Sequence, residues 1–160
     1  MYKRQRLQVE HPVTEESFYI DLVKYQIMVA AGYKIDLSNV IRKNHTIECR
    51  INAENAKDFS PSPGTVKFIN VPGGRGVRID TALYTNYKVN PHYDSLILKI
   101  VSKGKDRNES ISIMKRALDE IIVDGIDTNI ELHKWILNQN DFINGTYNTN
   151  WLEKNISKFN

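Results

Sequence analysis

The chain has 160 residues, 41% hydrophobic and 26% charged, a balance that lets one soluble domain bury a core. Its 22 basic and 19 acidic residues leave a net charge of only +3, and the basic residues are scattered, so no nucleic-acid footprint is implied. No run reaches the roughly 20 apolar residues of a membrane span, and the first residues lack the apolar stretch of a signal peptide. The single Cys49 can form no internal disulfide, no Cys/His cluster has zinc-site spacing, and the expectation is a cytoplasmic globular protein.

In chain order, Met1-Tyr2-Lys3-Arg4-Gln5 is basic and without pattern, and it reads back into a transposon-end adaptor used in sequencing libraries. Residues 1–5 are therefore read as a non-native scar and carry no functional weight. Residues 6–10 alternate polar and apolar, which predicts a strand with Arg6, Gln8 and Glu10 on one face. Pro12 ends that run. Thr14 reads as an N-cap, Val13 and Phe18 have the spacing of a hydrophobic staple, and one helix is predicted to about Ala31, with Gly32 as a left-handed cap. Residues 33–44 form a polar connection.

Residues 45–53 alternate again, with Ile47, Cys49, Ile51 and Ala53 on one face and Thr46, Glu48, Arg50 and Asn52 on the other. Pro61-Ser62-Pro63-Gly64 and Pro72-Gly73-Gly74 punctuate the next stretch, so strands are predicted over 65–71 and 76–82, and a further one over 95–102. Ile111, Met114, Ala117, Leu118, Ile121 and Ile122 mark an amphipathic helix closed by Gly125. Thr128-Asn129-Ile130-Glu131 reads as a capping box opening another helix, and a short helix carries Trp151 and Leu152. The order helix, strands, helices predicts an α+β domain with a mainly antiparallel sheet, its core built on Ile47, Ile51, Leu96, Ile97, Leu118, Ile121 and Trp135.

Arg6, Gln8 and Glu10 combine a fork of donors, an amide and a carboxylate, a set able to hold a small oxyanion and take its proton. The bland alternative is a solvated strand face, and for Glu48, Arg50 and Asn52 it is cross-strand pairing. His11 reads as structural rather than as a base, and Asp94 either orients an arginine or caps a turn. Gly73-Gly74-Arg75-Gly76 lacks the lysine and the strand-to-helix junction of a phosphate loop. Trp135 and Trp151 read as packing residues rather than a base-stacking platform.

The run from Arg6 through Glu15, R-L-Q-V-E-H-P-V-T-E, resembles the signature of biotin carboxylases, members of the ATP-grasp superfamily. Glu48-Cys49-Arg50-Ile51-Asn52-Ala53-Glu54, Pro61-Ser62-Pro63-Gly64, Gly76-Val77-Arg78, Tyr93-Asp94-Ser95 and Asp124-Gly125-Ile126-Asp127-Thr128-Asn129 come after it in family order. The resemblance implies the end of an ATP-grasp domain over 6–32, a connection over 33–44 and the C-terminal domain over 45–157. It implies a ligase that uses ATP and Mg2+ to carboxylate biotin with bicarbonate. Glu10 would deprotonate bicarbonate, Arg6, Gln8 and the Val9 N–H would hold it, Arg50 would stabilise negative charge on carboxyphosphate and the biotin enolate, and Tyr93 and Asp94 would support them.

Biotin carboxyl carrier protein, carboxyltransferase subunits and a second copy, met through Arg75 and Arg78, are the implied partners. The family's acidic metal ligand and asparagine are replaced here by Tyr2 and Arg4, and the ATP lid, adenine segment and magnesium carboxylates lie upstream of this sequence, so no metal ligand is expected in it. Thr149 stands where an apolar residue near the adenine is usual, and Pro12 is more like acyl-CoA carboxylases than pyruvate carboxylases. The implied parent is an acetyl-CoA carboxylase of fatty acid biosynthesis. Propionyl-CoA or pyruvate carboxylase, or a non-catalytic assembly piece, are the alternatives.

Overall fold

A computed structural model describes residues 5–159, so the expectations for Tyr2 and Arg4 lie outside the described residues. Residues 6–8 are irregular and Val9 and Glu10 form a turn, which corrects the predicted strand. A strand needs a neighbouring edge for its N–H and C=O groups, and no strand among the described residues lies beside this one.

Helix α1 (His11–Phe18) starts three residues before the expected cap, because Pro12 presets the first turn; Glu10 makes no side-chain cap. The predicted long helix is two. Tyr19 takes a left-handed φ of 54°, and Asp21 caps α2 (Leu22–Ala30) by accepting from the Lys24 N–H at 2.7 Å. Buried Glu15 braces that corner by accepting from the Leu22 N–H at 2.9 Å. Gly32 has the expected positive φ, 86°. The connection after it returns to α1 where the Lys43 N–H donates to the Ser17 carbonyl at 2.8 Å.

The remaining elements are β1 (His45–Asn52), β2 (Gly64–Thr65), β3 (Phe68–Asn70), β4 (Val77–Thr81), β5 (Lys88–Val89), β6 (Leu96–Gly104), α3 (Arg107–Glu120), β7 (Ile122–Asp124), α4 (Ile130–Leu137), α5 (Asn140–Asn144), α6 (Trp151–Asn155) and a closing 3-10 turn (Ile156–Lys158). Together they make the expected α+β fold. The main sheet has the order β1-β6-β4, antiparallel throughout, with Arg50 opposite Lys99 and Lys99 opposite Asp80.

Period-two alternation sends Cys49, Ile51, Leu98 and Ile100 to one face, where α3 covers them with Ile111, Met114, Ala117 and Leu118. Full burial of each large apolar side chain contributes about 1.5–3 kcal/mol, so this layer anchors the domain. Ile51, Leu118 and Ile121 are buried as expected, whereas Ile47, Leu96, Ile97 and Trp135 are half-buried. Trp135 covers the end of the core instead of filling it, lying 5.7 Å from the Trp151 ring.

Two further expectations are corrected. Residues 65–71 split into β2, paired with β5, and β3, paired with β7, because fully buried Val66 inserts between them into a second small core with Ala53 and Val89. Helix α3 ends at Glu120 rather than at Gly125, since Ile121 turns extended and leads into β7. Gly125 instead turns the chain at φ +100°, pressed against the backbone of Thr65 and Lys67. Among the described residues no helix is long and apolar enough to cross a membrane.

Candidate functional site

The second face of the main sheet carries charge, and α1 lies over it. On β4, Arg78 donates to Glu15 at 2.8 Å and to Asp80 at 2.9 Å, and on β6 Lys103 reaches Glu16 at 2.6 Å. Lys99 bridges Asp80 at 3.2 Å and the Val9 carbonyl at 3.1 Å. The start of α1 is therefore held directly above Arg50, whose guanidinium donates to the Glu10 carboxylate at 2.8 Å. These two side chains remain 40% and 47% exposed, open enough for a small anion to reach them.

Glu10 is shared by two clefts. One, of about 380 Å³, is lined by Glu10, Thr46, Glu48, Arg50, Arg107 and His133 among others. The other, of about 590 Å³, is lined by Arg6, Gln8, Glu10 and His11 with part of α2. Arg6 and Gln8 thus share a cleft with Glu10, although the irregular backbone replaces the single strand face expected for them. The Arg6 guanidinium donates to the neighbouring Leu7 carbonyl at 2.9 Å. His11 is structural: its Nδ1 lies 2.7 Å from the Gln8 carbonyl, which can only accept.

Tyr93 and Asp94 line neither cleft. Tyr93 is 80% exposed, and Asp94 accepts from the Leu96 N–H at 2.9 Å, the turn-capping alternative. Arg75 is exposed on the glycine-rich loop, while Arg78 belongs to the ladder under α1. Lys99 and Asp80 escaped the sequence reading. Lys99 is the one cation in the apolar run Leu96 to Ser102, a signal that could have found it, whereas Asp80 is recognised only through strand register.

Glu48 sits beside the pair. Among the described residues neither of its carboxylate oxygens has a hydrogen-bond partner, and burial pushes its carboxyl up to about 7, against the pull of Lys99. Burial likewise holds the His133 imidazole below its ordinary range. Among the described residues no three His, Cys, Asp or Glu side chains gather as a metal cage. The implied magnesium has no fitting ligand set among the described residues.

The family model for the biotin carboxylase C-terminal domain matches residues 48–154. The biotin carboxylase of Pseudomonas aeruginosa is 48% identical over 153 residues, which cover 94% of this chain and 34% of that protein. A pyruvate carboxylase subunit of Methanothermobacter thermautotrophicus is 45% identical over 152 residues, covering 93% of this chain and 31% of the relative. Among solved structures, the biotin carboxylase domain dimer of Hydrogenobacter thermophilus 2-oxoglutarate carboxylase, in complex with MgADP, ADP and bicarbonate, matches with a TM-score of 0.93 at 39% identity. That match covers 98% of this chain and 35% of that one. The chain spans about a third of the length of these relatives. A family model running from β1 to the C-terminal helices, joined to this identity over nearly the whole chain, makes it a member of the biotin carboxylase C-terminal domain family.

Proposed function

We propose that the chain supplies the bicarbonate- and biotin-facing part of a biotin carboxylase, the ligase that uses ATP to place bicarbonate carbon on carrier-bound biotin. The observation that carries this reading is the Glu10–Arg50 pair at 2.8 Å, half-open at the junction of two clefts. Glu10 takes the bicarbonate proton, while Arg6, Gln8 and the Val9 N–H hold the anion from the adjoining cleft. ATP then phosphorylates the bicarbonate to carboxyphosphate, which releases carbon dioxide and phosphate. Arg50 stabilises the charge on carboxyphosphate and on the biotin enolate, since a fixed cation contributes most where an oxyanion develops away from bulk water. Tyr93 and Asp94 act at most through the β6 turn that they shape.

The acyl acceptor proposed for the parent is acetyl-CoA, in fatty acid synthesis in the cytoplasm, on the strength of Pro12; the 45% identity to a pyruvate carboxylase component keeps pyruvate as the second reading. Carrier protein and carboxyltransferase are the proposed partners, with a second copy meeting Arg75 and the partly exposed Arg78, a reading that the dimeric form of the 2-oxoglutarate carboxylase domain supports. A complete enzyme in which this sequence replaces the matching third of the Pseudomonas aeruginosa relative tests the reading. This chimera should release ADP only with bicarbonate and should carboxylate biotin, while the 160-residue chain alone should do neither. An inactive but folded chimera, or bicarbonate-stimulated ADP release by the chain alone, would overturn it.

A further inference from the structure

Strand β1 is the edge of the main sheet, so one row of its backbone groups faces no other strand among the described residues. Side chains at the start of α4 occupy that row. Asn129 accepts from the Asn52 N–H at 2.9 Å and donates to the Arg50 carbonyl at 3.2 Å, and His133 Nε2 lies 2.9 Å from the same carbonyl. A carbonyl only accepts, so Nε2 carries a hydrogen and both lone pairs of the Arg50 oxygen are engaged.

The capping-box expectation is corrected by the same geometry. Asn129 occupies the N-cap position of α4 but makes no side-chain cap bond, because its amide turns away to β1. The contacts also fall at a particular place in the strand. Pairing with β6 shifts between Ile51 and Asn52, and an irregularity of this kind bends a strand and re-aims its neighbouring side chains. Arg50 and Asn52 flank Ile51 on the two sides of that shift, and both are fastened to α4.

We propose that Asn129 and His133 are positioning residues for Arg50: their three hydrogen bonds fix the backbone at the β1 irregularity, and so the direction in which the guanidinium reaches Glu10. This rests on the role given to Arg50 under the proposed function. The bonds end on the backbone, so neither residue needs to touch a substrate. Loss of the clamp leaves Glu10 in place and lets Arg50 wander, which harms the step that depends on Arg50 more than the one that depends on Glu10.

The test, run on the complete chimeric enzyme, reads the ratio of biotin carboxylation to bicarbonate-dependent ADP release. His133→Leu and Asn129→Leu should lower biotin carboxylation by about 10-fold or more, the size usual for groups that orient an active-site residue, with a smaller loss of ADP release. His133→Gln keeps an N–H donor and should restore most of the ratio. Arg50→Gln is run beside them. If it leaves the ratio unchanged, the role of Arg50 falls and the clamp with it; if it changes the ratio while His133→Leu and Asn129→Leu do not, the clamp alone falls. Equal losses of both activities that track the melting temperature and resist glutamine rescue would also overturn the clamp. Should the leucine variants fail to fold, Asn129→Asp keeps the acceptor for Asn52 and drops the donor to Arg50, and an unchanged ratio there overturns the proposal.

Discussion

The Glu10 carboxylate and the Arg50 guanidinium stand 2.8 Å apart although forty positions separate them in sequence, and both side chains keep close to half their surface in solvent. An ion pair this open contributes only about 0–1 kcal/mol to stability. Under the proposed function its consequence is chemical: Glu10 lines the cleft of Arg6 and Gln8 as well as that of Arg50, so an anion held in the first lies beside the carboxylate that the Arg50 guanidinium already contacts.

The two members of that pair should separate by function without separating by stability. In the complete chimeric enzyme, Glu10→Gln removes the base before any phosphoryl transfer, so bicarbonate-dependent ADP release and biotin carboxylation should both fail. Arg50→Gln should lower biotin carboxylation by about 10²- to 10³-fold and ADP release much less. Both variants should unfold within about 1 kcal/mol of wild type. Equal losses of both activities in both variants would remove the division of labour, and wild-type carboxylation in Glu10→Gln would remove the proposed base altogether.

Arg78 should behave in the opposite way, as a fastener of α1. Its guanidinium donates to Glu15, whose side chain is only 10% exposed, and to Asp80. Arg78→Met leaves the Glu15 carboxylate under α1 with only the Leu22 N–H, at a cost of about 2 kcal/mol, less than for a fully buried pair because that bond remains and Arg78 itself is partly in solvent. Urea unfolding of the chain should show that loss, together with faster proteolysis in the connection 33–44, whose end is tied to Ser17 of α1. An unchanged urea midpoint would show that α1 docks without this bridge.

How far the sequence reveals this architecture depends on the range of the forces involved. The alternation from Ile47 to Asn52 is local, so strand β1 and its two faces are legible, as are the helical spacing of Ile111 to Leu118 and the family signatures. The run Arg6 to Glu10 is misleading, because its period-two pattern describes a strand whose pairing partner is not supplied by the described residues. The corner at Tyr19 is hidden for another reason: the apolar spacing runs on through it, while the Asp21 cap on Lys24 and the Glu15 bond to the Leu22 N–H that hold the break leave no mark on that spacing. Thr128 to Glu131 has the local spacing of a capping box, and that Asn129 instead turns to the open edge of β1 follows only from the packing of α4 against that strand. The ladder Arg78, Asp80, Lys99 requires the register of two strands, β4 and β6, which no short window contains.

Gly125 and Gly32 both hold positive φ, at +100° and +86°, but only Gly125 has neighbours where a Cβ would stand, the Thr65 carbonyl among them. Gly32→Ala should therefore cost about 1 kcal/mol from backbone strain alone, and Gly125→Ala at least about 1 kcal/mol more, since β2 and β3 must also shift. Urea midpoints of the two variants give the comparison. Equal losses would mean that the close approach of Gly125 to β2 carries no weight.

Glu48 should give the domain a stability that falls as pH rises. Burial raises its carboxyl from 4.5 to about 7 in the folded chain; Glu10 and Asp80 push it the same way, while Lys99 and Arg50 pull it down. Between those two values the folded state binds more protons than the unfolded one, so the stabilisation is full below about 4.5 and lost by the time pH has passed about 7. Solvent screening at a half-buried group reduces the effect to about 1 kcal/mol. His133 works with the opposite sign: burial lowers its value below 6.5, so its contribution is lost as pH falls. The raw pH profile therefore mixes the two, and the informative quantity is the difference between wild type and Glu48→Gln. Glutamine is neutral at every pH, so the variant should match wild type near pH 5 and melt a few degrees higher near pH 8. A difference that is constant from pH 5 to 8, or that grows toward acid, would mean that Glu48 is solvated or paired in the folded chain.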